Sequence, residues 1–117
     1  MDEKDLKDRT KQFALRVIKL ARVLPDSVEG KVLGNQLIRC ATSVGANYRA
    51  ACRGRSKREF VSKLGTVEEE ADEACFWLEL IIECNLIPEQ RLQPLLQEAN
   101  ELVAIMTASR KSASKQL

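Results

Sequence analysis

The chain has 117 residues, 44% hydrophobic and only 4% aromatic, with 19 Lys and Arg against 17 Asp and Glu. That length fits one compact domain around a single core and excludes a separate catalytic domain. Sparse Gly and Pro beside abundant Ala, Leu, Val, Glu, Lys and Arg favour long helices over a twisted sheet, and the absence of any apolar run near 20 residues excludes a membrane-spanning helix.

From Glu3 to Leu24 the residues Leu6, Thr10, Phe13, Val17, Leu20 and Leu24 recur at alternating steps of four and three. Ala14, Ile18 and Ala21 widen the stripe, which predicts a helix over residues 3–24 with one broad buried face. Pro25 biases Leu24 away from helical geometry and ends the helix, and Asp26 or Ser27 can cap the next. The second helix is expected over 27–53, with Leu33, Leu37, Cys40, Val44 and Ala51 on one side. A neighbouring strip of Gly30, Gly34, Ala41 and Gly45 lets another helix backbone come close.

Gly54 reads as a stop, and Ser56 with Glu59 reads as a capping box opening a third helix over 57–85. There Phe60, Leu64, Val67, Ala71, Ala74, Leu78 and Ile81 keep the four-and-three rhythm without a miss, the strongest periodic signal in the chain. Pro88 suits the start of a fourth helix over 88–110 that carries Leu92, Leu95, Ala99, Leu102 and Met106, with Leu96 and Val103 beside them. Pro94 either kinks this helix or delays its start. Residues 112–117 read as a polar, frayed tail. Residues 1–111 therefore form one all-α domain, most economically an antiparallel up-and-down four-helix bundle, with an oligomer that shares helices as the alternative.

Cys40, Cys52, Cys75 and Cys84 offer neither a CxxC pair nor a histidine partner, so metal ligation is not expected and reduced thiols in the core are. The opening MDEKDLKDRTKQ lacks the order of a secretory signal, and a cytoplasmic protein is expected. No cofactor and no small-molecule substrate are indicated.

A formal net charge of +2 conceals a split. Residues 30–63 hold Lys31, Arg39, Arg49, Arg53, Arg55, Lys57, Arg58 and Lys63 against Glu59 alone, whereas residues 64–90 hold acids and no base. If the second and third helices fold back near residue 55, residues whose numbers sum to about 110 lie opposite each other. Arg39 then meets Glu70 and Glu73, either as a buried or interfacial structural cluster or as a surface pair; a catalytic acid pair is the remaining reading and lacks a nucleophile. Nearer the turn, Arg49, Arg53, Arg55, Lys57 and Arg58 have no acid opposite until Glu68, roughly 15 Å along the third helix. Such a patch is either a phosphate-binding surface for RNA or a solvated charge run, and Tyr48 beside it could stack on a base or lie in the core. Phe76, Trp77 and Leu80 extend apolar character beyond the core stripe, which predicts an oligomer interface or a thicker core.

The run QLIRCATSVGANYRAACRGRSKREFVSKLG from Gln36 to Gly65, followed by EEADEACFWLEL from Glu69 to Leu80, resembles the bacterial four-helix-bundle proteins known as large-subunit rRNA intervening-sequence proteins. Gln36, Arg39, Ser43, Asn47 and the basic segment before Phe60 carry the likeness. Family members commonly read Asn-Ile-Ala-Glu-Gly where this chain has Asn47-Tyr48-Arg49-Ala50-Ala51, an exchange that removes an acid. The resemblance implies a small cytosolic bundle, often a homopentamer, without an established activity. More distantly it is similar to the pentameric accessory bundles of reverse transcriptases in diversity-generating retroelements, which engage nucleic acid and the enzyme through a basic surface. The expectation is a non-enzymatic homo-oligomer that binds RNA or a nucleoprotein partner through the basic turn, or else a purely structural or adaptor module.

Overall fold

Four helices follow one another in the computed structural model, which describes residues 1–117: α1 (Glu3–Ala21), α2 (Val28–Cys52), α3 (Lys57–Glu83) and α4 (Glu89–Ser114). At 1.5 Å per residue the three longer helices each extend roughly 40 Å, nearly the full length of a rod measuring 46 × 20 × 20 Å. Short connections return each helix antiparallel to the one before it. α3 packs extensively on both α2 and α4, α2 packs on α1, and α1 meets α4 only over a short stretch. The architecture is the expected all-α four-helix bundle.

Periodicity explains the core. On α3, Leu64, Val67, Ala71, Ala74, Leu78 and Ile81 are completely buried, and only Phe60, at the first turn, keeps some exposure. The stripes of α2 and α4 and the first four positions of the α1 stripe are likewise buried. Thr10, inside the α1 stripe, is tolerated because its hydroxyl donates to the Leu6 carbonyl at 2.8 Å. Ile87, in the α3–α4 connection, closes the core at that end with 3% exposure.

The glycines of α2 serve close approach. A Cβ on Gly30 would collide with the Pro25 carbonyl oxygen, one on Gly34 would lie 2.9 Å from Leu24 Cδ1, and one on Gly45 would touch the Thr10 backbone at 3.5 Å. α1 and the loop that follows it therefore lie directly on the small-residue strip. Opposite that contact, Arg9 spans from α1 to α4. Its Nε donates to Glu98 at 2.7 Å and its Nη2 donates to Glu98 at 2.6 Å and Glu101 at 2.9 Å, a fork matched to two carboxylates.

Helix ends depart from the sequence reading in four places. α1 stops at Ala21 rather than Leu24; Leu24 donates its N–H to Ala21 in a turn and packs on the core from the loop. Gly54 does not take the left-handed conformation of a helix stop. Its lack of a side chain matters because a Cβ would lie 3.0 Å from the Ala51 carbonyl oxygen, to which its N–H donates. The left-handed residue is instead Asn85, at φ 56°. Asn85 donates to Ile82 and Leu86 to Ile81, the paired bonds that close a helix through a left-handed residue.

α4 starts at Glu89 and continues through Pro94, so the proline does not delay the helix. It also runs past Arg110 to Ser114, so residues 112–114 continue the helix rather than belonging to a tail, and Lys57 Nζ donates to Gln116 Oε1 just beyond. The neighbouring first turn of α3 gives that last stretch a surface to lie along.

Asn85 provides a direct check on this accounting. Asn85→Gly should keep stability within about 0.5 kcal/mol, whereas Asn85→Val, β-branched at a positive φ, should lose about 1–3 kcal/mol. Urea unfolding followed by helical circular dichroism measures both.

Candidate nucleic-acid interface

The α2–α3 turn places its cations by local bonds. Ser56 caps α3 by accepting the Glu59 N–H at 3.1 Å. The Glu59 carboxylate accepts the Arg55 N–H at 3.4 Å instead of returning to Ser56, so the capping box closes one residue earlier than expected. Arg49, Arg53, Arg55, Lys57 and Arg58 are all exposed, and none takes part in an ion pair. α4 brings Lys111 and Lys115 to the same end of the rod.

Acids reach this end too, from a direction the hairpin register did not anticipate. The first turn of α1 carries Asp2, Glu3 and Asp5, but each is already engaged. Asp2 accepts the Asp5 N–H at 2.8 Å, Asp5 accepts the Asp2 N–H at 3.3 Å, and Glu3 pairs with Lys7 at 3.2 Å. Tyr48 is only 4% exposed. Burial pushes its phenol well above the usual range, with Cys52 and Glu3 adding to the shift, and so removes it as a stacking platform.

Halfway along the hairpin the register holds as read. Arg39 Nη1 donates to Glu70 at 3.1 Å, Nη2 donates to Glu73, and Nε donates to Gln36 at 3.2 Å. Half of the Arg39 side chain is exposed while Glu70 keeps only 16%, so within one chain the cluster is half-buried, and solvent screening weakens the exposed pairs. Two partners were missed by sequence reasoning. The Trp77 indole donates to Glu73 at 3.0 Å and the Cys40 thiol donates to the same oxygen at 3.2 Å. Counting opposed charges could not reveal either neutral donor.

These donors hold the Glu73 carboxyl below the usual carboxylate range, the Trp77 indole first, then the Cys40 thiol and the charge of Arg39. Burial and the adjoining Glu73 push the Cys40 thiol up to about 12. Cys40, Glu70 and Glu73 bring potential metal-ligating atoms within 4.8 Å of one another. Their chemistry does not favour a cation: the thiol stays protonated, and a guanidinium already occupies both carboxylates. A carboxyl with a depressed pKa is likewise no general acid at neutral pH.

Nearer the turn, Glu68 accepts from Arg110 and Thr107, each at 2.6 Å. Of the four cysteines, only Cys40 and Cys75 are buried; Cys52 is half-buried, and Cys84 caps α3 and is exposed, contrary to a reading of four core thiols. Trp77 and Leu80 pack partly against the core, whereas Phe76 is 51% exposed and meets the Trp77 ring edge-on at 5.0 Å.

The fold and this surface define a small helical bundle with five exposed, unpaired cations at its α2–α3 turn. The sequence pattern of the 23S rRNA-intervening sequence protein family matches residues 3–108, and the chain belongs to that family. It is also similar to a crystal structure of a protein with unknown function from the S23 ribosomal protein family of Bacteroides thetaiotaomicron VPI-5482. The two share 30% identity over 95% of this chain and 99% of the other, with a TM-score of 0.87. No curated protein matches the chain. No helix is long and apolar enough to cross a membrane.

Trp77, the chain's one tryptophan, reports on Glu73. Because the folded carboxyl lies below its unfolded value of about 4.3, the contacts contribute stability above that value and lose it as pH falls through the folded pKa. Tryptophan emission should step at a pH below about 4.3 while circular dichroism still reports helix, and the step should vanish in Glu73→Gln.

Proposed function

We propose that the protein is a non-enzymatic, homo-oligomeric bundle that binds RNA through Arg49, Arg53, Arg55, Lys57 and Arg58, with no cofactor or small-molecule substrate. One observation carries the reading: five exposed cations without ion-pair partners lie at one end of a rod. Arginine forks and lysine ammonium groups in that state are free to replace the counterions around phosphates. The family name refers to sequences that intervene in 23S rRNA, which makes RNA the polyanion to try first. Cytosolic residence belongs to the same reading, since four free thiols suit a reducing compartment.

Fluorescence anisotropy with a structured and a single-stranded RNA tests it. Binding should fall steeply with salt. Arg53→Ala/Arg55→Ala/Arg58→Ala should weaken it and flatten the salt dependence by about 0.7–0.9 per lost phosphate contact. No binding at low salt, or binding indifferent to the triple substitution, would leave the structural or adaptor module as the better reading.

Self-association is carried by a separate feature, Phe76 at 51% exposure and Val32 at 52%. In the hairpin register Val32 lies level with the Phe76–Leu80 turn, so a second copy could cover Phe76 together with the outer edges of Trp77 and Leu80. The family resemblance favours five copies, and a ring would gather the basic ends. Light scattering during gel filtration should give a multiple of 13.2 kDa, and Phe76→Glu should shift it toward the monomer. A strict monomer at micromolar concentration contradicts the assembly.

A further inference from the structure

Beside the basic turn, between α1 and α2, lies a cleft of about 450 Å3 whose lining includes Lys4, Lys7, Lys11 and Arg49, with Asp8 as its one acid. Its shape follows from the sequence of both helices. Positions 4, 7 and 11 fall on one face of α1 and space three ammonium groups over roughly 10 Å. Across from them Gly45 and Ala46 contribute almost no side chain, and at Gly45 the two backbones nearly touch. The cations therefore flank a narrow trough with a small-residue floor.

Lys4, Lys11 and Arg49 form no ion pair, and Lys7 pairs only with the exposed Glu3. Arg49 belongs to both surfaces. It lines the cleft and precedes Arg53 of the turn by one helical turn, about 6 Å of rise, so the two basic regions are continuous. We infer that the cleft takes a single-stranded segment of RNA, its phosphates on Lys4, Lys11 and Arg49, as the continuation of the track that begins at the turn. This rests on the RNA reading proposed above.

The shape of the cleft favours single-stranded RNA. A trough between two helices in close contact admits one backbone, whereas a duplex, with both strands on its convex outside, reaches only the rim. The lining has no aromatic ring on which bases could stack, so the cleft contributes charge on the backbone alone, without the stacking that single-strand grooves commonly add.

The test compares a labelled single strand with a hairpin duplex of equal length in anisotropy titrations across salt. Lys4→Ala/Lys11→Ala removes two contacts. Ala46→Glu keeps every cation and places a negative side chain in the trough. Lys19→Ala/Arg22→Ala removes the same charge at the far end of α1. All these residues are exposed, so melting temperatures should stay near that of the wild type.

Both cleft variants should weaken single-strand binding by about tenfold near 0.1 M salt and hairpin binding less than about twofold. The double variant should flatten the single-strand salt slope by about 1.4, at about 0.7 for each of two contacts. The far-end control should change neither RNA by more than about twofold. Three outcomes overturn the cleft and leave the turn standing: equal loss for the hairpin, equal loss in the far-end control, or no loss in a protein whose binding still depends on Arg53, Arg55 and Arg58. A wild type that binds neither RNA overturns both readings.

Discussion

The uninterrupted apolar stripe of α3 fixes the rest of the molecule. Leu64, Val67, Ala71, Ala74, Leu78 and Ile81 are fully buried, and α3 is the helix that packs heavily on two neighbours. Because that stripe sets two alanines at its centre between larger side chains at either end, a slide of either neighbour by one turn would set large against large and open voids elsewhere. Register is thus decided in the core, and the surface chemistry inherits it. Arg39 arrives opposite Glu70 and Glu73, Arg110 opposite Glu68, and Gln116 beside Lys57.

That inheritance explains why a nearly neutral chain keeps a charged end. On α3, Glu59 accepts the Arg55 N–H at the turn itself, and Glu68, Glu70 and Glu73 are engaged by Arg110, Thr107, Arg39, Cys40 and Trp77, whereas the exposed Glu69, Asp72, Glu79 and Glu83 lie further along the rod. Of the acids at the start of α1, Asp2 and Asp5 complete the helix cap and Glu3 pairs with Lys7, which leaves Asp8 beside the cleft. Distance isolates what is left. With a screening length near 8 Å at physiological salt, charges far apart on a 46 Å rod scarcely feel one another, so a net charge of +2 says little about the field at either end.

The four stripes and the α2–α3 register could be read from the sequence because both depend on spacing within a helix or across one short turn. What could not be read depends on lateral neighbours. Tyr48 and Arg39 both lie on α2, yet Tyr48 is sealed in the core and Arg39 is half in solvent. Which one is covered depends on how α1 and α3 sit around α2, and no periodicity encodes that. Helix ends fail for a related reason. Asn85 is tolerated in a left-handed conformation because Leu86 and Asn85 can bond back to Ile81 and Ile82, and α4 outlasts its apolar pattern because α3 lies beside it. The cysteines look alike in sequence and end in four different settings, from Cys40 in the carboxylate cluster to Cys84 on the surface. The basic cleft needed residues from α1 and α2 together, and the hairpin register compared only α2 with α3.

The same geometry gives α1 a distinct place in the energetics. It has the shortest helix of the four, lies on α2 through glycines that add little apolar area, and meets α4 only over a short stretch bridged by the Arg9 fork. Leu6, Thr10, Phe13 and Val17 are nevertheless buried, so α1 holds to the bundle chiefly through α2. An anion held between Lys4 or Lys11 of α1 and Arg49 of α2 would span that seam, and a ligand that binds only the closed arrangement stabilises it in proportion to the logarithm of its concentration over Kd. Occupying the cleft and securing α1 against α2 would then be a single event at the basic end.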